Sequence, residues 1–155
     1  MERYKGKTIL ITGASSGIGE EFAKSLDKLG ASLILTARSE DKLLAIKEDL
    51  ENASAHVAID LSLDESPQII RQVVLEEFGS IDILVNNAAV ERNEPAHRAT
   101  AAAIDETLLV NLRQAFMLCT VFAKDLFSTQ GNIVNVSSTA AAGAGGTQGA
   151  YAASK

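Results

Sequence analysis

Cysteine occurs only once, at Cys119, so a disulfide within the chain is excluded. Its place in an apolar helical stretch points to a small buried side chain rather than a reactive thiol. Runs of lysine and arginine are missing and the formal net charge is −6, which argues against nucleic acid as a partner. No uninterrupted apolar stretch reaches the length of a membrane span. Met1-Glu2-Arg3-Tyr4-Lys5-Gly6 leads straight into a strand-like run without an apolar leader, so no secretory signal is expected there. His56 and His97 have no surrounding pattern for metal or base chemistry. These absences point to a soluble protein of a reducing, cytoplasmic compartment. What is present is ordinary for a globular protein: 155 residues, 46% hydrophobic and 22% charged, enough for one core.

Short apolar runs alternate with longer segments of helical periodicity. Thr8 to Thr12 reads as a buried strand. A helix follows from Gly17 to about Leu29, with Ile18, Phe22, Leu26 and Leu29 at helical spacing and Gly30 ending it. Ser32 to Ala37, Ala55 to Ile59, Ile81 to Val85 and Asn132 to Val136 read as further strands, and Glu40 to Leu50 as a second helix. Ser66-Pro67 marks a helix start, because proline is tolerated in a first turn, and Ile69, Val73 and Phe78 are expected on the inner face. A long helix is predicted over Ala101 to Phe127. Ile104, Leu108, Leu112, Ala115, Cys119, Phe122 and Leu126 form its apolar stripe, with Leu109, Met117 and Val121 apolar outside it. Strands apolar on both faces and separated by helices imply a parallel sheet covered on each side. With no repeat and no linker, residues 1–155 read as a single α/β domain.

Thr12-Gly13-Ala14-Ser15-Ser16-Gly17-Ile18-Gly19 joins the first strand to the first helix. Glycine lets the backbone turn tightly and approach a ligand, and the helix start presents free N–H groups and the positive end of its dipole. A pyrophosphate is the natural occupant, which reconciles an acidic chain with an anionic ligand. The spacing is not G-x-G-x-x-G, since two glycines cluster at Gly17 and Gly19. At the other end of the chain, Tyr151 and Lys155 stand at i and i+4, neighbours on one helix face. An ammonium beside a phenol favours the phenolate, which makes a tyrosine usable as proton donor and acceptor at neutral pH.

These signatures, with Asn86-Asn87-Ala88-Ala89, Asn111 and Ser138 in order between them and Ser138 thirteen positions before Tyr151, resemble the short-chain dehydrogenase/reductase family over essentially the whole chain. The resemblance implies a Rossmann-type doubly wound parallel sheet with strand order 3-2-1-4-5. It also implies hydride transfer between a nicotinamide and the carbonyl or secondary-alcohol carbon of a small molecule. Tyr151 is then the acid in reduction and the base in oxidation. Lys155 would tune Tyr151 and hold the nicotinamide ribose, and Ser138 would donate a hydrogen bond to the substrate oxygen. Ser137 is the weaker alternative to Ser138. Asn111, a poor helix former inside the long helix, is assigned a water-mediated proton path to Lys155; the alternative is a satisfied polar residue between helices. Gly13, Ser15, Ser16, Gly17, Ile18 and Gly19, with Asn87 and Ala88, are expected around the cofactor. Asp60, with Leu61 beside it, corresponds to the adenine contact, or else to a turn aspartate. Arg38 follows the second strand, where a carboxylate would accept a free 2′-hydroxyl and a guanidinium pairs with phosphate instead. NADP(H) is therefore favoured, with NAD(H) possible.

Asn86-Asn87-Ala88-Ala89 ends in alanine where the family has glycine; a positive φ there would carry roughly 1–2 kcal/mol of strain. Glu91 to His97, with Pro95, reads as a loop near the substrate, and Ala140 to Ala150 as a loop beside the chemistry. The resemblance further implies a C-terminally incomplete chain that lacks the family's last strands and substrate lid. An uncovered edge on the fifth strand and a frayed Lys155 beside a terminal carboxylate are expected with it. The alternative to a working oxidoreductase is then a nucleotide-binding or regulatory fragment without turnover. By the same resemblance, the apolar 101–127 helix implies self-association as a homodimer or homotetramer.

Overall fold

A computed structural model describes residues 2–143 and 145–155; Met1, and Ala144 of the expected 140–150 loop, lie outside the described residues. In chain order the elements are β1 (Thr8–Thr12), α1 (Gly17–Asp27), β2 (Ser32–Ala37), α2 (Glu40–Glu48), β3 (Ser54–Ala58), α3 (Ser66–Phe78) and β4 (Ile83–Asn86). They continue as α4 (Ala101–Leu108), a π segment (Leu109–Gln114), α5 (Ala115–Thr129), β5 (Asn132–Asn135), a 3-10 turn (Thr139–Ala141) and α6 (Gly149–Ser154). The strands pair in parallel in the order β3-β2-β1-β4-β5, the order expected from the resemblance. Successive residues of β1 serve opposite faces. Leu10 packs with Ile34 and Leu84 beneath α3 and α5, while Ile9 and Ile11 pack with Leu33, Leu35 and Val85 beneath α1 and α2. Both faces being covered, the run Thr8–Thr12 is buried throughout and needs no polar alternation.

Several details differ from the sequence expectations. On α3 the inner face is Ile70 and Val74, both fully buried, whereas Ile69 is 41% exposed; Val73 and Phe78 pack only partly against the core. Ile69/Val73 and Ile70/Val74 share one spacing, so periodicity could not choose between them. The long helix is not continuous: a π segment of 6 residues separates α4 from α5. Its buried face there is largely polar, through Thr107, Asn111 and Gln114 beside Val110, while Leu112 is 53% exposed. A stripe drawn through apolar residues therefore runs one position late in this stretch and regains the true face at Phe122 and Leu126. Cys119 is half-buried, not fully buried. The strain expected at Ala89 is absent: among the described residues Gln130 is the one non-glycine residue with positive φ. All four residues of β5 are exposed, and among the described residues no helix is long and apolar enough to cross a membrane.

The C-terminal end of α1 carries a clamp that the sequence did not announce. Asp27 is 4% exposed, and its carboxylate accepts from Glu51 N at 3.0 Å and Asn52 N at 2.9 Å. Asn52 Nδ2 returns a bond to the Asp27 carbonyl at 2.7 Å, so the turn between α2 and β3 is tied to α1. Burial alone would raise the Asp27 pKa, but the N–H donors of Glu51 and Asn52 outweigh it and hold the carboxyl below its ordinary value of 3.8. Its contribution to stability is thus complete above the ordinary carboxylate range and is lost as pH falls through the lowered value. Asp27→Asn sets an amide N–H against these donors and is expected to lower the unfolding free energy by about 1–3 kcal/mol at neutral pH. Urea midpoints measure this, and the gap between variant and parent should close below about pH 4.

Candidate nucleotide groove and catalytic residues

A groove of about 480 Å³ opens at the carboxyl ends of the strands, lined from β1, β2, β3 and β4. The sheet order reverses between β1 and β4, which is where open parallel sheets bind ligands. Thr12 closes the end of β1 and is 2% exposed. Its hydroxyl donates to Val85 O at 3.3 Å and accepts from Asn87 N and Ala88 N, each at 3.0 Å. Asn87 Nδ2 reaches back to Thr12 O at 2.9 Å and Gly13 O at 3.2 Å. The glycine loop and the end of β4 are therefore one hydrogen-bonded unit. A Cβ at Gly13, where φ is +66, would stand 2.8 Å from Ala88 Cα, and one at Gly19 would stand 2.2 Å from Gly13 O. Gly17 serves differently: its φ is +55, and a Cβ there would meet nothing within 4 Å.

Of the residues expected around a cofactor, Gly13, Ser15, Ser16, Ile18, Arg38, Asp60, Leu61, Asn87 and Ala88 line the groove. Gly17 and Gly19 shape the loop behind it. Ser16 caps α1 in extended conformation with its hydroxyl uncommitted, so the first turn of α1 keeps its N–H groups for a ligand. Asp60 Oδ1 accepts from Ser62 N at 2.8 Å. That bond chiefly, with the Ser62 hydroxyl and the field of Arg38, holds the carboxyl below its ordinary value against the opposing effect of burial. The turn-aspartate alternative is therefore realised on one oxygen. Lys42 joins Arg38 at the β2 end of the groove, and among the described residues neither forms an ion pair. Sequence reasoning passed over Lys42, although its place one helical turn after Arg38 was visible. A free helix start, two serine hydroxyls and two cations beside a glycine turn fit a phosphate-bearing dinucleotide.

Ala88 is shared with a second hollow of about 250 Å³, which Asn111, Ser137, Ser154 and Lys155 also line. Asn111 sits in the π segment, a feature frequent at functional sites. Its Oδ1 accepts from Val90 N at 2.8 Å, and its Nδ2 donates to Val90 O at 2.9 Å and Ser154 Oγ at 2.9 Å. Lys155 Nζ donates to Val136 O at 2.6 Å and lies 5.9 Å from the centroid of the Tyr151 ring. Burial pushes the Lys155 ammonium pKa down. Ser137 Oγ donates to Lys155 O at 3.0 Å, whereas Ser138 Oγ accepts from Ala140 N at 3.2 Å and caps the 3-10 turn. Ser138 and the half-buried Tyr151 line neither hollow, though α6 packs against the 3-10 turn and so brings their segments together.

The chain belongs to the short-chain dehydrogenase family, whose family model matches residues 7–155. It is 38% identical over 157 residues to D-threitol dehydrogenase of Mycolicibacterium smegmatis, covering 99% of this chain and 60% of that protein. It is 34% identical over 152 residues to the 3-oxoacyl-acyl-carrier-protein reductase FabG of Vibrio cholerae, covering 97% of this chain and 62% of that protein. The crystal structure of a metagenomic short-chain oxidoreductase in complex with NADP superposes with a TM-score of 0.93 at 35% identity, over 98% of this chain and 71% of that one. A short-chain dehydrogenase/reductase from Burkholderia phymatum in complex with NAD gives a TM-score of 0.93 at 30% identity, over 99% of this chain and 57% of that one. The chain spans roughly three fifths of the length of these curated relatives.

The two kinds of glycine predict unequal responses. Gly17→Ala is expected to fold with a conformational cost of about 1–2 kcal/mol. Gly19→Ala drives a methyl into the carbonyl of Gly13 and should lower the melting temperature further and weaken dinucleotide binding by calorimetry. Equal melting temperatures in the two variants would show that the loop yields at Gly19.

Proposed function

We propose that the protein is an NADP(H)-dependent oxidoreductase that interconverts a small-molecule carbonyl and its secondary alcohol, with Tyr151 as the acid and base. The observation that carries the cofactor preference is the β2 end of the groove, where Arg38 and Lys42 stand with no ion-pair partner among the described residues. Asp60 lies across from them and is turned to Ser62 through one oxygen. A guanidinium and an ammonium there attract a 2′-phosphate, and no carboxylate stands directly after β2 to take a ribose hydroxyl. A bound nicotinamide supplies or takes up the hydride. The chain's own part is to place and protonate. The Tyr151 hydroxyl gives its proton to the substrate oxygen in reduction and recovers it in oxidation. Ser138 donates a hydrogen bond to the same oxygen, and Lys155, within 5.9 Å of the Tyr151 ring, supplies the nearby cation. Asn111, Ser138, Tyr151 and Lys155 form the proposed catalytic set, and residues 1–155 one dinucleotide-binding domain.

Relatives that reduce or oxidise different molecules by name leave the carbonyl class as the level of this proposal. A cytoplasmic location accords with the acidic charge and the absence of a membrane-length helix among the described residues. Self-association through the 101–127 segment is supported by Leu112, Phe116 and Phe127, exposed at 53%, 70% and 87%. The second reading, a nucleotide-binding protein without turnover, draws on the position of Ser138 and Tyr151 outside both hollows. Tyr151→Phe separates the two: it should lower turnover about 10²- to 10⁴-fold while NADPH affinity holds. Similar rates in parent and variant would reject the acid–base role. Arg38→Asp is expected to weaken NADPH about ten- to a hundredfold relative to NADH. An unchanged affinity ratio would remove Arg38 from cofactor choice.

A further inference from the structure

Ser154 is 8% exposed and uses its hydroxyl twice. It donates to the main-chain carbonyl of Tyr151 at 2.7 Å and accepts from Asn111 Nδ2 at 2.9 Å. Asn111 in turn grips both main-chain groups of Val90, a residue of the groove wall. A continuous line of hydrogen bonds thus runs from the groove wall, through the π segment, to the main chain of Tyr151. Both amide hydrogens of Asn111 and the single hydroxyl hydrogen of Ser154 are spent within it.

We infer that Ser154 is a positioning residue, holding the turn that carries Tyr151 and Lys155 at a set height above the groove floor; this rests on the acid–base role proposed for Tyr151. The reason lies in α6 itself. Its 6 residues have no side-chain N-cap, and they follow a stretch of small residues, Gly143 to Gly146. With no side-chain cap on its first turn, tertiary bonds decide where that turn sits. Alanine at 154 would release the Tyr151 carbonyl and leave a buried Asn111 N–H without an acceptor. A serine hydroxyl both donates back along the helix and accepts from outside it, in the volume the site provides.

The test exploits the scarcity of chromophores. With Tyr4→Phe, Tyr151 becomes the one tyrosine of a chain that has no tryptophan, so tyrosine emission reports it alone. In that background Ser154→Ala is expected to raise the acrylamide quenching of this emission and Ser154→Thr to return it toward the parent value. The melting temperature serves as the control for general loosening. In NADPH-linked turnover against a carbonyl panel, Ser154→Ala should lower kcat about ten- to a hundredfold with the KM for NADPH within about twofold. Ser154→Cys keeps the volume and exchanges the hydroxyl for a weak donor, so it answers the question if the alanine variant fails to fold. Quenching equal to the parent in the folded variants overturns the inference whatever the turnover. Raised quenching in a chain whose parent shows no turnover keeps the placement by Ser154 and overturns the role given to Tyr151.

Discussion

The closure between the end of β1 and the end of β4 is what the rest of the site depends on. Where the chain leaves the sheet at Gly13, its carbonyls lose their ladder partners and must find others. Asn87 provides them, with one amide nitrogen serving Thr12 O and Gly13 O, while the Thr12 hydroxyl takes the N–H groups of Asn87 and Ala88. Each such bond contributes roughly 1 kcal/mol net, and leaving one unmade in a buried place costs more. The tightness of this closure is why Gly13 and Gly19 admit no Cβ. Asn87 therefore acts as a strut for the loop and fixes where the loop's N–H groups point.

A second constraint comes from the π segment. Asn111 and Gln114, three positions apart and so on one face, are both buried there. Asn111 works toward Val90 and α6. Gln114 Nε2 donates to Leu63 O at 3.1 Å, and Arg113 pairs with Asp64 at 2.6 Å. The segment thus ties the loop after Asp60 to the turn bearing Tyr151. Ser66 Oγ completes that loop with a bond to Asp60 O at 2.6 Å.

Charge is arranged locally, against the sign of the whole. A chain of net charge −6 places Arg38 and Lys42 together on the groove, while several of its other basic residues are paired, as in Lys7–Asp82, Arg71–Asp125 and Arg92–Glu106. Exposed pairs of this kind add little to stability. Arg38 and Lys42 form no ion pair among the described residues, although Asp60 and Glu106 line the same groove.

Pattern and composition determined most of the elements, the parallel sheet and the glycine turn, because a strand buried on both faces leaves an apolar run and glycine is favoured where φ turns positive; the strand order came with the family resemblance. Spacing isolated Tyr151 and Lys155, and the family resemblance added Ser138 and Asn111. The choice of Ile70 over Ile69 on α3, the polar inward face at Thr107, Asn111 and Gln114, and the ordinary φ at Ala89 were decided only by the tertiary structure. So were the work of Asn87 and Thr12 as a closure, the clamp at Asp27, and the link through Ser154. For the polar ones the physical reason is shared: a buried polar group is governed by whichever partner reaches it across the fold, and those partners lie 21 to 76 positions away in the chain.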